Sequence, residues 1–112
     1  MTEKEWLAGF ASALKRGDVE AATASFADRC YWRDLVAFTW NIVTFESRSA
    51  IAGMLKARLG DVRPDSFEPA DREGWFTFET AVGRGTGHVR LKDGRAWALF
   101  TALQELKGHE EK

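Results

Sequence analysis

Apolar residues recur at helical spacing near the start of the chain. Trp6, Phe10 and Leu14 are each four residues apart, so they lie on one face of a helix. Thr2 followed by Glu5 has the spacing of a capping box, in which each side chain binds the other residue's backbone N–H. This pattern predicts a first helix that begins directly after Thr2.

Two further helices are predicted from their caps. Gly17 ends the first helix, and Asp18 is a typical N-cap for a second one over VEAATASFA, residues 19–27. Ser47 caps a third helix, whose apolar residues share one face until Gly60 ends it.

The remaining segments have the patterns of extended chain. Aromatic and β-branched residues dominate from Cys30 to Phe45. Residues 61–71 contain both prolines and predict a loop, with a short edge strand as the alternative. Alternation then predicts three strands, joined by a GRGTG turn and an Asp93-Gly94 hairpin, at residues 75–82, 88–92 and 95–103.

Helices in the first half and strands in the last third indicate an α+β fold, with helices packed on one face of a curved antiparallel sheet. The length of 112 residues suits one domain of this kind. We therefore expect a single domain over residues 1–112, with a polar tail at residues 105–112.

The last predicted strand is apolar on both faces. Alternation sends Trp97, Leu99, Thr101 and Leu103 to one face, and Ala98, Phe100 and Ala102 to the other. A strand of this kind is usually covered on both sides. Helices cover one face, so we expect a second copy of the chain to cover the other in a homodimer.

Composition narrows the class of protein. The formal net charge is −1 with no basic run, which gives no reason to expect a nucleic-acid partner. The first twenty residues lack the apolar core of a signal peptide, and no apolar run is long enough to span a membrane. We therefore expect a cytoplasmic protein.

Aromatic residues make up 12% of the chain, including eight Phe and five Trp. Rings of this size either fill a small core or line an apolar pocket.

Several candidate sites are set aside. GRGTGH at residues 83–88 lies between strands, whereas a phosphate-binding loop precedes a helix. His88 and His109 have no second ligand at metal spacing, and Cys30 has no adjacent base. We expect no metal and no cofactor.

Asp34 is the main candidate for chemistry, because it stands in the apolar run YWRDLVAFTWN. A carboxylate in a dry cavity can act as a general base. It can equally be a structural partner of Arg33, Arg48 or a backbone amide. Both interpretations stay open at this point.

Two stretches, ALKRGDVEAATASFADRCYWRD and FESRSAIAGML, resemble the nuclear transport factor 2-like, SnoaL-like superfamily. Ser47 and Ser49 depart from the usual Gly and Asp of its third helix start. The resemblance implies a cystatin-like architecture, in which a cone-like curved sheet wraps the three helices around an apolar pocket, commonly in dimers.

A narrower resemblance involves YWRDLVAFTWNIVTFE, GRGTGHVRL and DGRAWALFTALQELKGHEE. These are similar to the amino-terminal extension of flavin-dependent monooxygenase-like oxidoreductases, where a flavin-binding module follows. This sequence ends at Lys112, so we expect no flavin function in this polypeptide but allow a flavoprotein as a partner.

The superfamily includes ketosteroid isomerase, which uses a base and two oxyanion donors in one pocket. The resemblance places Asp34 at the base, Phe10 at the tyrosine and Gly87 at the protonated acid. Because loss of one such donor typically costs about 3 kcal/mol, isomerase activity is not expected. Asn41 is the most plausible replacement donor.

Three hypotheses for function follow. The leading one is a domain that binds a small apolar ligand between sheet and helices, with Asp34 orienting a polar group of the ligand. The alternatives are a cyclase-, isomerase- or hydrolase-type enzyme with Asp34 as base, and a structural dimerisation module. The predicted ligand-binding residues are Phe10, Trp32, Asp34, Phe38, Trp40, Asn41, Met54, Val89, Leu91, Trp97 and Leu99.

Overall fold

The computed structural model describes residues 2–107 and consists of three helices and one sheet of six strands. The helices are α1 (Glu3–Arg16), α2 (Val19–Ala24) and α3 (Arg48–Val62). The strands are β1 (Phe26–Leu35), β2 (Ile42–Phe45), β3 (Asp65–Pro69), β4 (Trp75–Glu79), β5 (Gly83–Lys92) and β6 (Arg95–Leu106). Within residues 2–107, no helix is both long and apolar enough to cross a membrane.

The predicted caps of the first helix are confirmed. Thr2 Oγ1 accepts from the Glu5 backbone N–H at 3.2 Å, and the Thr2 backbone N–H donates to Glu5 Oε1 at 3.1 Å. Gly17 ends the helix in the left-handed conformation, with φ of 71°. Glycine adopts that conformation without a steric penalty, so the helix stops where the sequence predicts.

The ends of the other two helices were predicted wrongly. Helix α2 ends at Ala24, because Phe26 is fully buried in the first strand, where it pairs with Ala96 of β6. Helix α3 continues past Gly60 to Val62, and Arg63 caps it with φ of 45°. In both cases, contacts made by the following residues outweigh the local signal.

The sheet has the strand order β2-β1-β6-β5-β4-β3. Strands β1 and β6 pair in parallel, and every other neighbouring pair is antiparallel. This confirms the α+β fold with an open, mostly antiparallel sheet. The helices pack on one side, here called the inner face, and we call the opposite side the outer face.

Residues Cys30 to Phe45, predicted as extended chain, form two antiparallel strands. Residues 36–41 connect β1 to β2 as a tight loop. Two residues of this loop, Val36 and Trp40, have positive φ values of 70° and 61°. Apolar residues dominate both the strands and the loop between them, so alternation alone could not locate the reversal of the chain.

The predicted GRGTG turn is wrong, because residues 83–87 lie inside β5. A Cβ atom on Gly85 would lie 2.5 Å from Phe78 Cζ, and one on Gly87 would collide with the Phe76 ring. These glycines therefore make room for rings of β4 that lie across the inner face of β5. The actual connection from β4 to β5 is at residues 80–82.

We expect Gly87→Ala to destabilise the domain by about 1–3 kcal/mol, because the new methyl group overpacks the core against Phe76. Gly53→Ala in α3 is the matched control, since a Cβ there meets nothing within 4 Å. Alanine is the better helix former, so the control should be neutral or stabilising by up to about 1 kcal/mol. Urea unfolding of both variants checks the prediction, and equal midpoints would contradict it.

In the last strand, the side chains of Leu99 and Thr101 lie on the face that the alternation predicts, whereas that of Trp97 does not. The register shifts between Arg90 and Leu91, whose partners in β6 are Ala98 and Ala96. This β-bulge turns Trp97 to the outer face, where its ring lies 5.9 Å from that of Tyr31. The strand also runs on to Leu106, so the predicted tail at residues 105–112 begins inside β6, and residues 108–112 lie outside the described residues.

Candidate functional site

Asp34 lies on the inner face of β1 and is fully buried. Its carboxylate accepts from the backbone N–H groups of Phe38 and Thr39, each at 2.9 Å from Oδ2. The Thr39 hydroxyl donates to the same oxygen at 2.9 Å. Asp34 therefore closes the loop of residues 36–41 back onto the strand that leads into it.

The second oxygen of Asp34 ties the loop to the centre of the sheet. The Thr101 hydroxyl of β6 donates to Asp34 Oδ1 at 2.7 Å, and Trp32 Nε1 donates to Thr101 Oγ1 at 2.8 Å. Asp34 and Thr101 are neighbours because β1 and β6 pair in parallel. The three side chains form one buried chain of hydrogen bonds.

This geometry limits what Asp34 can do chemically. Three of its hydrogen bonds end on Oδ2, and the Thr101 hydroxyl donates to Oδ1, which also shares the Phe38 N–H at 3.1 Å, so both oxygens are engaged. Among the partners considered from the sequence, Asp34 binds backbone amides, whereas Arg33 donates to Thr44 and Arg48 pairs with Asp28. Because Asp34 is also fully buried, a substrate could reach its carboxylate only if one of these donors moved away.

The loop of residues 36–41 is held under strain. Positive φ at Val36 is unfavourable for a β-branched side chain, and Trp40 shares this conformation near the other end of the loop. Each such residue costs about 1–3 kcal/mol and persists because surrounding contacts impose it. Besides Asp34, Arg58 Nε of α3 donates to the Phe38 carbonyl at 3.2 Å.

The predicted ligand-binding residues fall into three places. The loop exposes Trp40 and Asn41, and Trp97 lies on the outer face. Leu91 is partly buried and packs on the core. The remaining residues are buried together between sheet and helices: Phe10, Trp32, Asp34, Phe38, Met54, Val89 and Leu99.

Aromatic rings fill the space between the sheet and the helices. The centre of the Trp32 ring lies 4.9 Å from that of Phe38 and 5.8 Å from that of Phe10, and the ring centres of Phe38 and Phe78 are 6.0 Å apart. Phe38, predicted from the sequence as a wall of the ligand site, belongs to the strained loop and packs into this interior. A surface groove of about 630 Å³ between α1 and β4 includes Val89 but not Asp34.

The outer face carries an apolar surface that none of the helices within residues 2–107 covers. Tyr31 is 40% exposed beside Trp97, and Ile42 on the edge strand is 65% exposed. A row of cross-strand partners runs from Arg33 through Phe100 and His88 to Trp75. We call this surface the outer patch, and its residues are Tyr31, Arg33, Leu35, Ile42, Trp75, His88, Arg90, Trp97, Ala98, Phe100 and Ala102.

Sequence reasoning identified Ala98, Phe100 and Ala102 as facing away from the helices, but it missed Tyr31 and Trp75. Alternation within β1 already separates Tyr31 from Trp32, so its placement could have been read from the strand pattern. The position of Trp75 opposite His88, with ring centres 4.7 Å apart, depends on the register of β4 and β5.

The electrostatics of the outer patch favour a neutral histidine. Burial lowers the pKa of His88 from its ordinary value, and the Arg90 guanidinium lowers it further. Glu3 acts in the opposite direction as a smaller effect. The guanidinium of Arg90 also lies over the Trp97 ring, 6.0 Å from its centre.

Solved structures match nearly the whole chain at low sequence identity. An NTF2-like protein of unknown function from Burkholderia pseudomallei has a TM-score of 0.68 and 13% identity, over 93% of this chain and 92% of that chain. A computationally designed 17-OHP binder has a TM-score of 0.67 and 13% identity over the same shares. An uncharacterised cystatin-fold protein from Novosphingobium aromaticivorans has a TM-score of 0.66 and 11% identity, over 90% of this chain and 97% of that chain.

No protein-family model and no curated protein sequence matches the chain. Likeness at these identities concerns the fold and not the activity. The order of the elements, the open six-stranded sheet and these structural neighbours show that the chain has the NTF2-like fold, the α+β architecture also described for cystatin-fold proteins.

Proposed function

We propose that the chain is a non-catalytic association domain that forms a homodimer through the outer patch. The observation that supports this most directly is the contrast between the two faces of the sheet. Rings of the chain itself fill the inner face, whereas the outer face leaves Tyr31 and Ile42 exposed. An apolar surface of this kind on a soluble domain typically marks an interface.

A second copy is the partner that suits the outer patch. Its aromatic residues are the types enriched at the centres of protein interfaces. A two-fold dimer brings the same patch together from both chains, so one surface serves both partners. Light scattering at micromolar concentration tests this proposal: the mass of two chains is expected, and the mass of one chain would contradict it.

The dimer should weaken as the pH falls, because His88 lies in the outer patch. Burial and the neighbouring Arg90 favour the neutral imidazole, whereas Glu3 opposes them as a smaller effect. The pKa of His88 in the single folded chain already lies below the ordinary value of about 6.5. Further burial of the imidazole in a dimer would lower this pKa again, so association is favoured while His88 is neutral and weakens as the pH falls through the pKa of the single chain.

We therefore expect the dimer dissociation constant to rise between pH 7.5 and pH 5 in the wild type, measured by sedimentation. His88→Gln keeps a polar side chain but cannot be protonated, so its dissociation constant should change less over the same range. Equal pH dependence in the two proteins would contradict this role of His88.

Binding of a small apolar ligand is the second candidate function, and the strained loop favours it. Moving residues 36–41 would relieve the strain at Val36 and Trp40 and withdraw Phe38 from the interior. The designed 17-OHP binder shows that a protein of this fold can be made to bind such a compound. In this hypothesis, Asp34 would gain free lone pairs when the loop opens and could orient a polar group of the ligand.

Tryptophan fluorescence separates the two candidates, since Trp32 contacts Phe38. Saturable quenching of the wild type by 1-naphthol would support a ligand site behind the loop. Quenching that appears only in Phe38→Ala would show that the interior is closed in the wild type, as the association proposal expects. The flavoprotein partner implied by the narrower sequence resemblance stays a prediction, as does an enzyme that uses Asp34.

A further inference from the structure

We propose that a groove between α1 and α3 binds an amphipathic anion, namely an acyl chain that ends in a carboxylate. This site lies on the helical side of the molecule and does not involve Asp34 or the outer patch. Its volume is about 640 Å³, within the range usual for small-ligand sites.

The floor of the groove is apolar. Val19 and Leu59, which are partly buried and pack against the core, provide its accessible surface, and the buried side chains of Leu14 and Leu55 also border it. Gly60 lies beside them in α3, and a Cβ atom there would meet nothing within 4 Å. A glycine inside a helix is less favourable than alanine, and no close packing requires one at this position. Its effect is to leave this side of the groove open.

The rim of the groove is basic. It carries Lys15, Arg16, Lys56 and Arg63, against a single lining carboxylate, Asp65. Two of these cations have internal partners, because Lys15 lies 3.2 Å from Asp65 and Arg16 lies 3.6 Å from Asp18. The charge of the rim complements an anionic head group.

Lys56 and Arg63 are the cations available to a ligand. Neither side chain makes a hydrogen bond or an ion pair with any residue in the described part of the chain. Arg63 also occupies the left-handed conformation that ends α3, where glycine is the usual residue. The chain accepts this strain and places a guanidinium at the mouth of the groove.

These features fit an acyl carboxylate better than a neutral or cationic ligand. The hydrocarbon chain would lie along Val19 and Leu59, and the carboxylate would reach Lys56 and Arg63. Hydrogen bonds from charged donors are stronger than those from neutral donors, and the adjacent apolar floor reduces the competition of water for these donors.

Calorimetric titration with sodium dodecanoate, below its micellar concentration, tests the proposal. Saturable binding to the wild type is expected, and the double variant K56Q/R63Q should bind at least about tenfold more weakly because two charged contacts are lost. The matched control K4Q/R29Q removes two exposed cations outside the groove and should bind as the wild type does.

Gly60→Leu gives a second test that does not depend on loss of fold. Leucine is a better helix former than glycine, so the domain should be at least as stable, but the new side chain would lie between Lys56 and Arg63 and weaken binding. Absence of binding to the wild type would overturn the proposal. So would equal binding by all variants, or binding of dodecyltrimethylammonium as tight as that of dodecanoate.

Discussion

Tyr31→Arg is expected to convert the proposed dimer to a monomer, raising the dissociation constant about a hundredfold or more. Truncation of a central aromatic anchor costs 2 kcal/mol or more, and two like charges brought together in a two-fold interface add to the loss. Tyr31 is 40% exposed in the single chain, so an arginine can point into solvent there without disturbing the core.

Trp40→Arg is the matched control for this change. Trp40 is also an exposed aromatic residue, at 51%, but it lies on the loop of residues 36–41 and not on the outer patch. Sedimentation velocity over a range of concentrations should show a monomer for Tyr31→Arg and a dimer for Trp40→Arg. A dimer of unchanged affinity in Tyr31→Arg would rule out the outer patch as the interface.

Asp34→Ala is expected to destabilise the domain by about 3–5 kcal/mol. The substitution leaves the N–H groups of Phe38 and Thr39 and the hydroxyl of Thr101 without their acceptor, and each buried donor left unpaired costs about 1–3 kcal/mol. Relief of the strain in the loop of residues 36–41 offsets part of the summed cost of these unpaired donors. A loss of this size is typical of breaking a buried hydrogen-bond network.

Asp34→Asn separates the structural role of Asp34 from a catalytic one. The amide nitrogen of asparagine can only donate, and the groups around it are N–H and hydroxyl donors that need an acceptor. We therefore expect Asp34→Asn to lower the free energy of unfolding by about 2 kcal/mol. A general base in an open pocket predicts nearly unchanged stability for this variant. Urea unfolding is the measurement, and Asp61→Asn on the exposed side of α3 is the control, expected to fall within about 0.5 kcal/mol of the wild type.

Local sequence signals predicted the three helices, and contacts between residues distant in sequence explain the helix ends and strand features that those signals missed. The capping box of Thr2 and Glu5 and the left-handed Gly17 fix α1 through residues close in sequence. The hairpin at Asp93 and Gly94 likewise depends on two adjacent positive φ values. No such signal marks the β-bulge at Trp97, which arises from the register with a neighbouring strand.

Asp34 shows the same limit at the candidate site. The sequence identifies it as an unusual carboxylate, but its structural role depends on a hydrogen bond from Thr101, which is 67 residues away in the sequence. That contact exists because the first strand pairs with the last one in parallel, an arrangement that no pattern within either strand predicts. The role of Gly85 and Gly87 in β5 likewise depends on contacts with another strand, because these glycines make room for the rings of Phe76 and Phe78.

Hydroxyl-radical footprinting of the wild type tests the central claim most directly, because it reports which side chains the assembly covers. At high protein concentration, oxidation of Tyr31, Trp75 and Trp97 should fall relative to a dilute sample, whereas Trp40 should remain equally reactive in both. Loss of reactivity at Trp40, with Tyr31 and Trp97 unchanged on concentration, would contradict an association domain that works through the outer face of its sheet.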